Sequence, residues 1–190
     1  RDFMASLEEI TTERNYIHRK NCTSFIKRLL MKYSGLDVLY KSFPGIDTRN
    51  DPILEVFSKE LDNGTVRLMT EHLTQLMSEV DIVLFDMIST GFSEAVQIGV
   101  PTLVYSNDFG YKEASGEGKI INDELEDCGM VFYDTESGIR SFERIVNDLP
   151  AFMEVSRKPI RRYQEAIAYP VSKNEYLQSL ENKIKPYESI

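Results

Sequence analysis

The chain has 190 residues and a formal net charge of −9 at pH 7. One domain with a core of its own fits that length, and the acidic balance excludes a protein organised around a basic face for nucleic acid or an anionic membrane. No apolar run approaches the ~18 residues needed to span a bilayer, and Cys22 and Cys128 lack metal-type spacing, as expected of small buried residues in a reducing compartment.

The first thirty or so residues predict helix, with Phe25, Ile26, Leu29 and Leu30 at helical spacing and a stop at Ser34-Gly35. The more polar stretch from Thr11 to Asn21 reads as a loop or a second exposed helix. A strand is expected from Asp37 to Phe43, ended by Pro44-Gly45. Asp51-Pro52 starts a helix that runs to Asn63-Gly64. Thr65 to Met69 predicts a strand, and Leu73, Leu76, Met77 and Val80 a short amphipathic helix. Ile82 to Phe85 and Thr102 to Tyr105 are continuous apolar runs, the pattern of parallel strands covered on both faces. After a polar connection over Asn107 to Lys119 come a helix around Asp123 to Asp127, a strand at Met130 to Tyr133 and a helix from Glu136 to Asp148. The chain is then helical to Ala168, breaks at Pro170 and ends in a charged helix from Asn174 to Lys185. Strand–helix alternation repeated about five times predicts an α/β fold: a Rossmann-like open parallel sheet of about five strands, with helices on both faces and extra C-terminal helices. Residues 1–35, 36–148 and 150–190 form the N-terminal helical segment, the core and the C-terminal helices of one domain.

In such a sheet a ligand sits outside the carboxyl ends of the strands. Lys41 to Gly45, Thr70 to His72, the Ser89-Thr90-Gly91 turn and the loop from Ser106 all fall there. The turn offers backbone N–H groups, two hydroxyls and a helix N-terminus at one point, which suits a phosphate. Glu94 follows where a ribose would sit; with Gly91 as the cap, it would be the third helical residue and would complete a capping arrangement. Lys41 is either a solvated cation or a diphosphate contact. His72, at a helix start, is a candidate general base or a polar cap-region residue. Asp86 orients the turn by accepting backbone N–H groups, Asp81 starts its strand at the opposite edge, and Asn107, Asp108, Tyr111 and Lys112 lie in a loop placed to close over a ligand. His18 receives no role. The chain has no Gly-x-Gly-x-x-Gly, no Walker-type loop, no metal-spaced His/Cys cluster and no Gly-x-Ser-x-Gly elbow, which disfavours NAD, NTP-hydrolysis, zinc and α/β-hydrolase chemistry.

Three segments carry a family resemblance over roughly residues 36 to 148, most of one domain. They are Leu39-Tyr-Lys-Ser-Phe-Pro44, a strand ending in Lys-x-x-Pro; Leu73 to Gly91, a helix, an apolar strand ending in Asp and a small-residue turn; and Glu94 to Leu103, an acid, helix, Gly-x-Pro and strand. With them the chain resembles the C-terminal, donor-binding half of a GT-B-type bacterial glycosyltransferase, near the CDP-glycerol glycerophosphotransferases and surface-carbohydrate transferases. Ser42-Phe43 stands where many relatives carry a His before the proline. The resemblance implies a nucleotide-sugar or CDP-polyol donor held by Lys41, Thr70, His72, Ser89, Thr90, Gly91 and Glu94, a carbohydrate acceptor, and neither a resident cofactor nor a metal. The family's first strand and its acceptor domain would lie before Arg1, and the isolated chain would not turn over without them. A cytoplasmic location at the inner face of the membrane, peripheral attachment through that absent part, and a homo-oligomer are compatible with it. Two other readings stand beside this one: a sugar-nucleotide epimerase of the same architecture, and a non-catalytic nucleotide-binding or assembly module.

Overall fold

The structure, a computed structural model, describes residues 2–41, 52–106 and 116–167. Helix α1 spans Asp2–Lys32 without interruption, so the polar 11–21 stretch is neither a loop nor a separate helix. It contains neither Gly nor Pro, and His18, Cys22, Phe25 and Leu29, spaced four, three and four apart, are all buried. Strand β1 (Val38–Tyr40) pairs in parallel with β2 (Val66–Leu68), Val38 opposite Val66. Between them the expected single helix is two short ones, α2 (Pro52–Val56) and α3 (Ser58–Asp62). The break falls at Phe57, whose ring is buried and carries the Lys27 ammonium 5.7 Å from its centre. Helix α4 (Leu73–Met77) leads to β3 (Val83–Phe85), helix α5 (Thr90–Ile98) to β4 (Thr102–Tyr105), and α6 (Gly116–Asp127) to β5 (Val131–Phe132). The chain continues through α7 (Thr135–Asn147) and α8 (Leu149–Ile167). Helix α6 begins about two turns before the expected start. Burial of Ile121, Asn122 and Leu125 on one face outweighs the weak helix preference of Gly116 and Gly118.

The expected sheet of five strands is divided in two. β1 and β2 form one parallel pair, and β3, β4 and β5 form a parallel three-stranded sheet in that order. Burial is uneven across the strands. All four residues of β4 are buried, and since successive side chains point to opposite faces, both faces of this sheet are covered. Every residue of β1 and β3 is only half-buried. The fold is therefore mixed α/β with two small parallel sheets. The expected features at Ser42, Phe43, Pro44, Asp51, 107–115 and 168–190 lie outside the described residues.

Aromatic rings join the larger sheet to α1. The Phe25 ring lies 5.2 Å from Phe132 and 5.8 Å from Tyr105, which are themselves 5.2 Å apart. α7 packs against α1, and the ion pairs Arg28–Glu136 and Lys32–Glu143 span that seam. Gly138 of α7 admits Phe132: a Cβ there would fall 2.4 Å from the ring, and the ring is held by its aromatic neighbours. Gly138→Ala is therefore expected to lower stability by about 1–2 kcal/mol, the strain of overpacking exceeding the helix propensity gained. Denaturant titration should show a lower midpoint at unchanged slope; equal or greater stability would contradict the packing described.

Candidate functional site

Strand β3 ends at Phe85, and the chain crosses from Asp86 to Ser89 before α5 begins. Ser89 is the N-cap, with extended backbone (φ −139°, ψ −177°). Gly91 is thus the second helical residue and not the cap. Its lack of a side chain serves close approach, since a Cβ would lie 2.7 Å from Leu73 Cδ2 and 3.0 Å from Phe85 Cε1. Phe92 anchors the helix beneath the turn, edge-on to Phe85 and to Tyr163 with ring centres 6.4 and 5.0 Å away. The far end of α5 closes at Gly99 in the left-handed region (φ +86°), where the Gly99 and Val100 amides both donate to the Ala95 carbonyl. Pro101 then leads into β4, so the Gly-x-Pro unit is a helix stop followed by a strand start.

The N-terminus of α5 is electrostatically open. The Ser89 hydroxyl makes no capping bond, and no acidic residue lies in the first turn. Helix α7 shows the contrasting case. There Asp134 Oδ1 accepts from the Ser137 amide at 2.8 Å and Oδ2 from the Ser137 hydroxyl at 2.7 Å. Those two bonds hold the Asp134 carboxyl below its ordinary range. In α8, Asp148 accepts from the Ala151 amide. Among the described residues no side chain accepts from the first-turn amides of α5 as Asp134 does in α7, which leaves them open to an anion.

The remaining sequence-predicted residues fall as follows. The Lys41 ammonium, just past β1, donates to the carbonyl of Thr70, just past β2, at 3.2 Å. The Thr70 amide donates to Glu71 Oε2. His72 caps α4 through its backbone, its carbonyl accepting from Gln75 and Leu76, while its exposed ring makes no capping bond. Because Leu73 abuts Gly91, the structure brings the 70–73 segment against the start of α5. Glu94 is exposed, one turn beyond Thr90, as the fifth helical residue. The third is Phe92, so the capping arrangement considered for Glu94 does not form. Asp81 is exposed at the opposite end of β3, while Asn107, Asp108, Tyr111 and Lys112 lie outside the described residues.

Two residues to which sequence reasoning gave no role at this site reach it, His18 at the turn and Tyr163 at Ser93 of α5. His18 is buried on α1, its Nε2 2.8 Å from the Asp86 carbonyl oxygen, its ring tilted against Tyr105, and Cys22 Sγ 3.7 Å from the same nitrogen. Burial first, and then the nearby Asp86 charge, pushes the Cys22 thiol up. Burial likewise raises the Tyr105 phenol. Tyr163 is buried on α8, with its hydroxyl 2.7 Å from Ser93 Oγ. The signal for both was helical spacing of inward-facing positions: 18, 22, 25 and 29 on α1, and 152, 156, 159 and 163 on α8. A groove of about 290 Å³ lined by Arg28, Met31, Lys32, Glu136 and Ile139 belongs to the α1–α7 ion-pair seam and not to this crevice. Among the described residues no three His, Cys, Asp or Glu side chains converge as a metal site, and no helix is long and apolar enough to cross a membrane.

No family model, curated protein or solved structure matches this chain. The difference between the two helix starts is directly measurable. Asp134→Ala should lower stability by about 1 kcal/mol, the usual loss of a side-chain cap, whereas Ser89→Ala should change it by less than ~0.5 kcal/mol. The Asp134 contribution also carries a pH signature. Its folded pKa is lowered from 3.8, so the stabilisation is complete above that value and is lost as pH falls through the lower folded one. Thermal unfolding of the wild type and both variants from pH 6 down to pH 2 reads all three effects. Equal losses at neutral pH would contradict the open start of α5.

Proposed function

We propose that this chain is the donor-binding part of a transferase, which moves a glycosyl or polyol-phosphate group from a nucleotide-activated donor to a carbohydrate acceptor in bacterial surface-polymer synthesis. The observation that carries the reading is the start of α5: first-turn amides with neither a side-chain cap nor an acid, placed at the carboxyl end of a parallel strand. The leaving group of such a reaction is a nucleotide phosphate whose negative charge grows in the transition state. The Thr90 and Gly91 amides, the Ser89 and Thr90 hydroxyls and the Lys41 ammonium are the groups that would stabilise it. Glu94, exposed on the same helix one turn on, is the proposed ribose ligand. His72 is the candidate base in this chain, on a segment that touches the turn; in the reading favoured here the acceptor domain supplies the base.

The finer fold belongs to the same proposal. The two parallel sheets are the two sides of one Rossmann-like sheet, completed by a further parallel strand between β1 and β3 and preceded by an acceptor domain. Support comes from the half-burial of β1 and β3, whose apolar sequences suit strands with neighbours on both sides. Calorimetric titration with CMP, CDP, UDP and GDP tests the function. Binding of at least one is expected, with Glu94→Gln weakening it by about tenfold or more, the loss of charge-assisted hydrogen bonds. Stability of that variant should be nearly unchanged, because Glu94 is exposed and completes no cap. Absence of heat with all four nucleotides would remove the reading; unchanged affinity in Glu94→Gln would remove Glu94 from the site.

A further inference from the structure

Two buried side chains from distant parts of the sequence end beside the 86–89 turn, His18 on the turn itself and Tyr163 on Ser93 in the first turns of α5. His18 Nε2 lies 2.8 Å from the Asp86 carbonyl oxygen. A carbonyl can only accept, so Nε2 carries the proton, and the Cys22 thiol at 3.7 Å cannot donate to that nitrogen. At the other end of the turn, Ser93 Oγ lies 3.2 Å from the Ser89 carbonyl oxygen and 2.7 Å from the Tyr163 hydroxyl. Ser93 has one hydroxyl proton, and Ser89 O can only accept it. Tyr163 must therefore be the donor to Ser93, giving a directed chain from Tyr163 to Ser93 to the N-cap carbonyl. His18 and Tyr163 are 7% and 8% exposed, and each is fixed by packing, His18 against Tyr105 and Tyr163 against Phe92.

We propose that His18 and Tyr163 are positioning residues that set the shape of the 86–89 turn from outside it. The turn's own cap side chain does not hold it. Its backbone is held at Asp86 by α1, while the Ser89 carbonyl accepts the Ser93 amide and the Ser93 hydroxyl, the hydroxyl in turn being fixed by Tyr163 of α8; only Met87 and Ile88 lie between the two held carbonyls. Any ligand held by the α5 amides meets a backbone whose geometry is set before it arrives, which lowers the ordering cost of binding. This last step rests on the anion-binding reading above; the anchoring does not.

The test uses Tyr163→Phe, which removes one hydroxyl and keeps the ring, His18→Leu, and His18→Gln, whose amide retains a donor near the Nε2 position. Amide hydrogen exchange of the ligand-free chain compares the Ser93 amide, which donates to the Ser89 carbonyl, with β4. In Tyr163→Phe and His18→Leu the Ser93 amide should exchange about tenfold faster, as for the loss of one hydrogen bond. The β4 amides should change much less, and His18→Gln should restore most of the protection. Equal acceleration of the Ser93 and strand amides would reduce both residues to general packing and overturn the proposal, as would unchanged exchange at Ser93. Calorimetry with CDP and UDP is the second arm. If the wild type binds, Tyr163→Phe should weaken binding about fivefold through the unheld turn, and equal affinity would overturn the positioning role in binding. If the wild type binds neither, the nucleotide reading fails, while the exchange data still decide the anchoring.

Discussion

The burial of β4 and of the three rings beside it is the constraint on which the rest of the structure depends. Thr102, Leu103, Val104 and Tyr105 are all inside, and Tyr105 and Phe132 form with Phe25 a cluster that fixes α1 to the sheet. Burying such a ring contributes roughly 1.5–3 kcal/mol, and each well-placed aromatic contact about 0.5–1.5 kcal/mol more. These terms exceed what the exposed ion pairs across the same seam supply, which is at most about 1 kcal/mol apiece. Phe25 and His18 share the inward stripe of α1, so the contact that docks the helix also carries His18 to the carboxyl end of β3. Phe92 and Tyr163 do the same for α8 on the far side of the turn. Packing in the core and geometry at the crevice are in this way one problem.

A net charge of −9 opposes the approach of any anion, so an anionic ligand depends on local fields. A helix N-terminus offers about half an elementary charge and typically 0.3–1 kcal/mol at a surface, more where partly buried. In α7 that field is already occupied by Asp134, and the first helical turn there adds Glu136. In α5 no described side chain caps it and no acid lies in its first turn. Lys41 is the cation at the neighbouring strand ends, and it is partly engaged by the Thr70 carbonyl. The arrangement suits a doubly charged phosphate, which interacts with several weak donors together, better than a single carboxylate.

Much of this was legible in the sequence, for identifiable reasons. The β4 strand was read to the residue because a continuous apolar run bounded by Pro101 and a polar loop has few alternatives, and α7 to within one residue because its apolar positions recur so regularly. A small-residue passage from strand to helix after β3 was legible because Ser, Thr and Gly cluster there, although only Ser89 of the three lies outside α5. Boundaries decided by tertiary burial were not legible. α1 runs through a polar stretch because its inward stripe continues, α6 starts at glycines, and the chain breaks at Phe57 to bury it. A shift of two residues in the cap, from Gly91 to Ser89, moved Glu94 out of capping range. The partners of the turn, His18 and Tyr163, sit 68 residues from Asp86 and 70 from Ser93. No local pattern encodes a hydrogen bond over that separation; only the inward stripes of α1 and α8 hinted at it. Division of the strands into two sheets was likewise beyond a one-dimensional reading, because strand order is a property of pairing and not of composition.

The central claim is that the start of α5 is the place where this protein holds an anionic ligand. A titration of the ¹⁵N-labelled chain with CDP or UDP, followed by amide proton–nitrogen correlation spectra, addresses it most directly. The account predicts that the amides of Ser89, Thr90, Gly91 and Phe92 shift most and saturate together, with smaller changes at Lys41 and Thr70. Shifts confined to the α1–α7 seam, or a spectrum that does not change with either nucleotide, would contradict it.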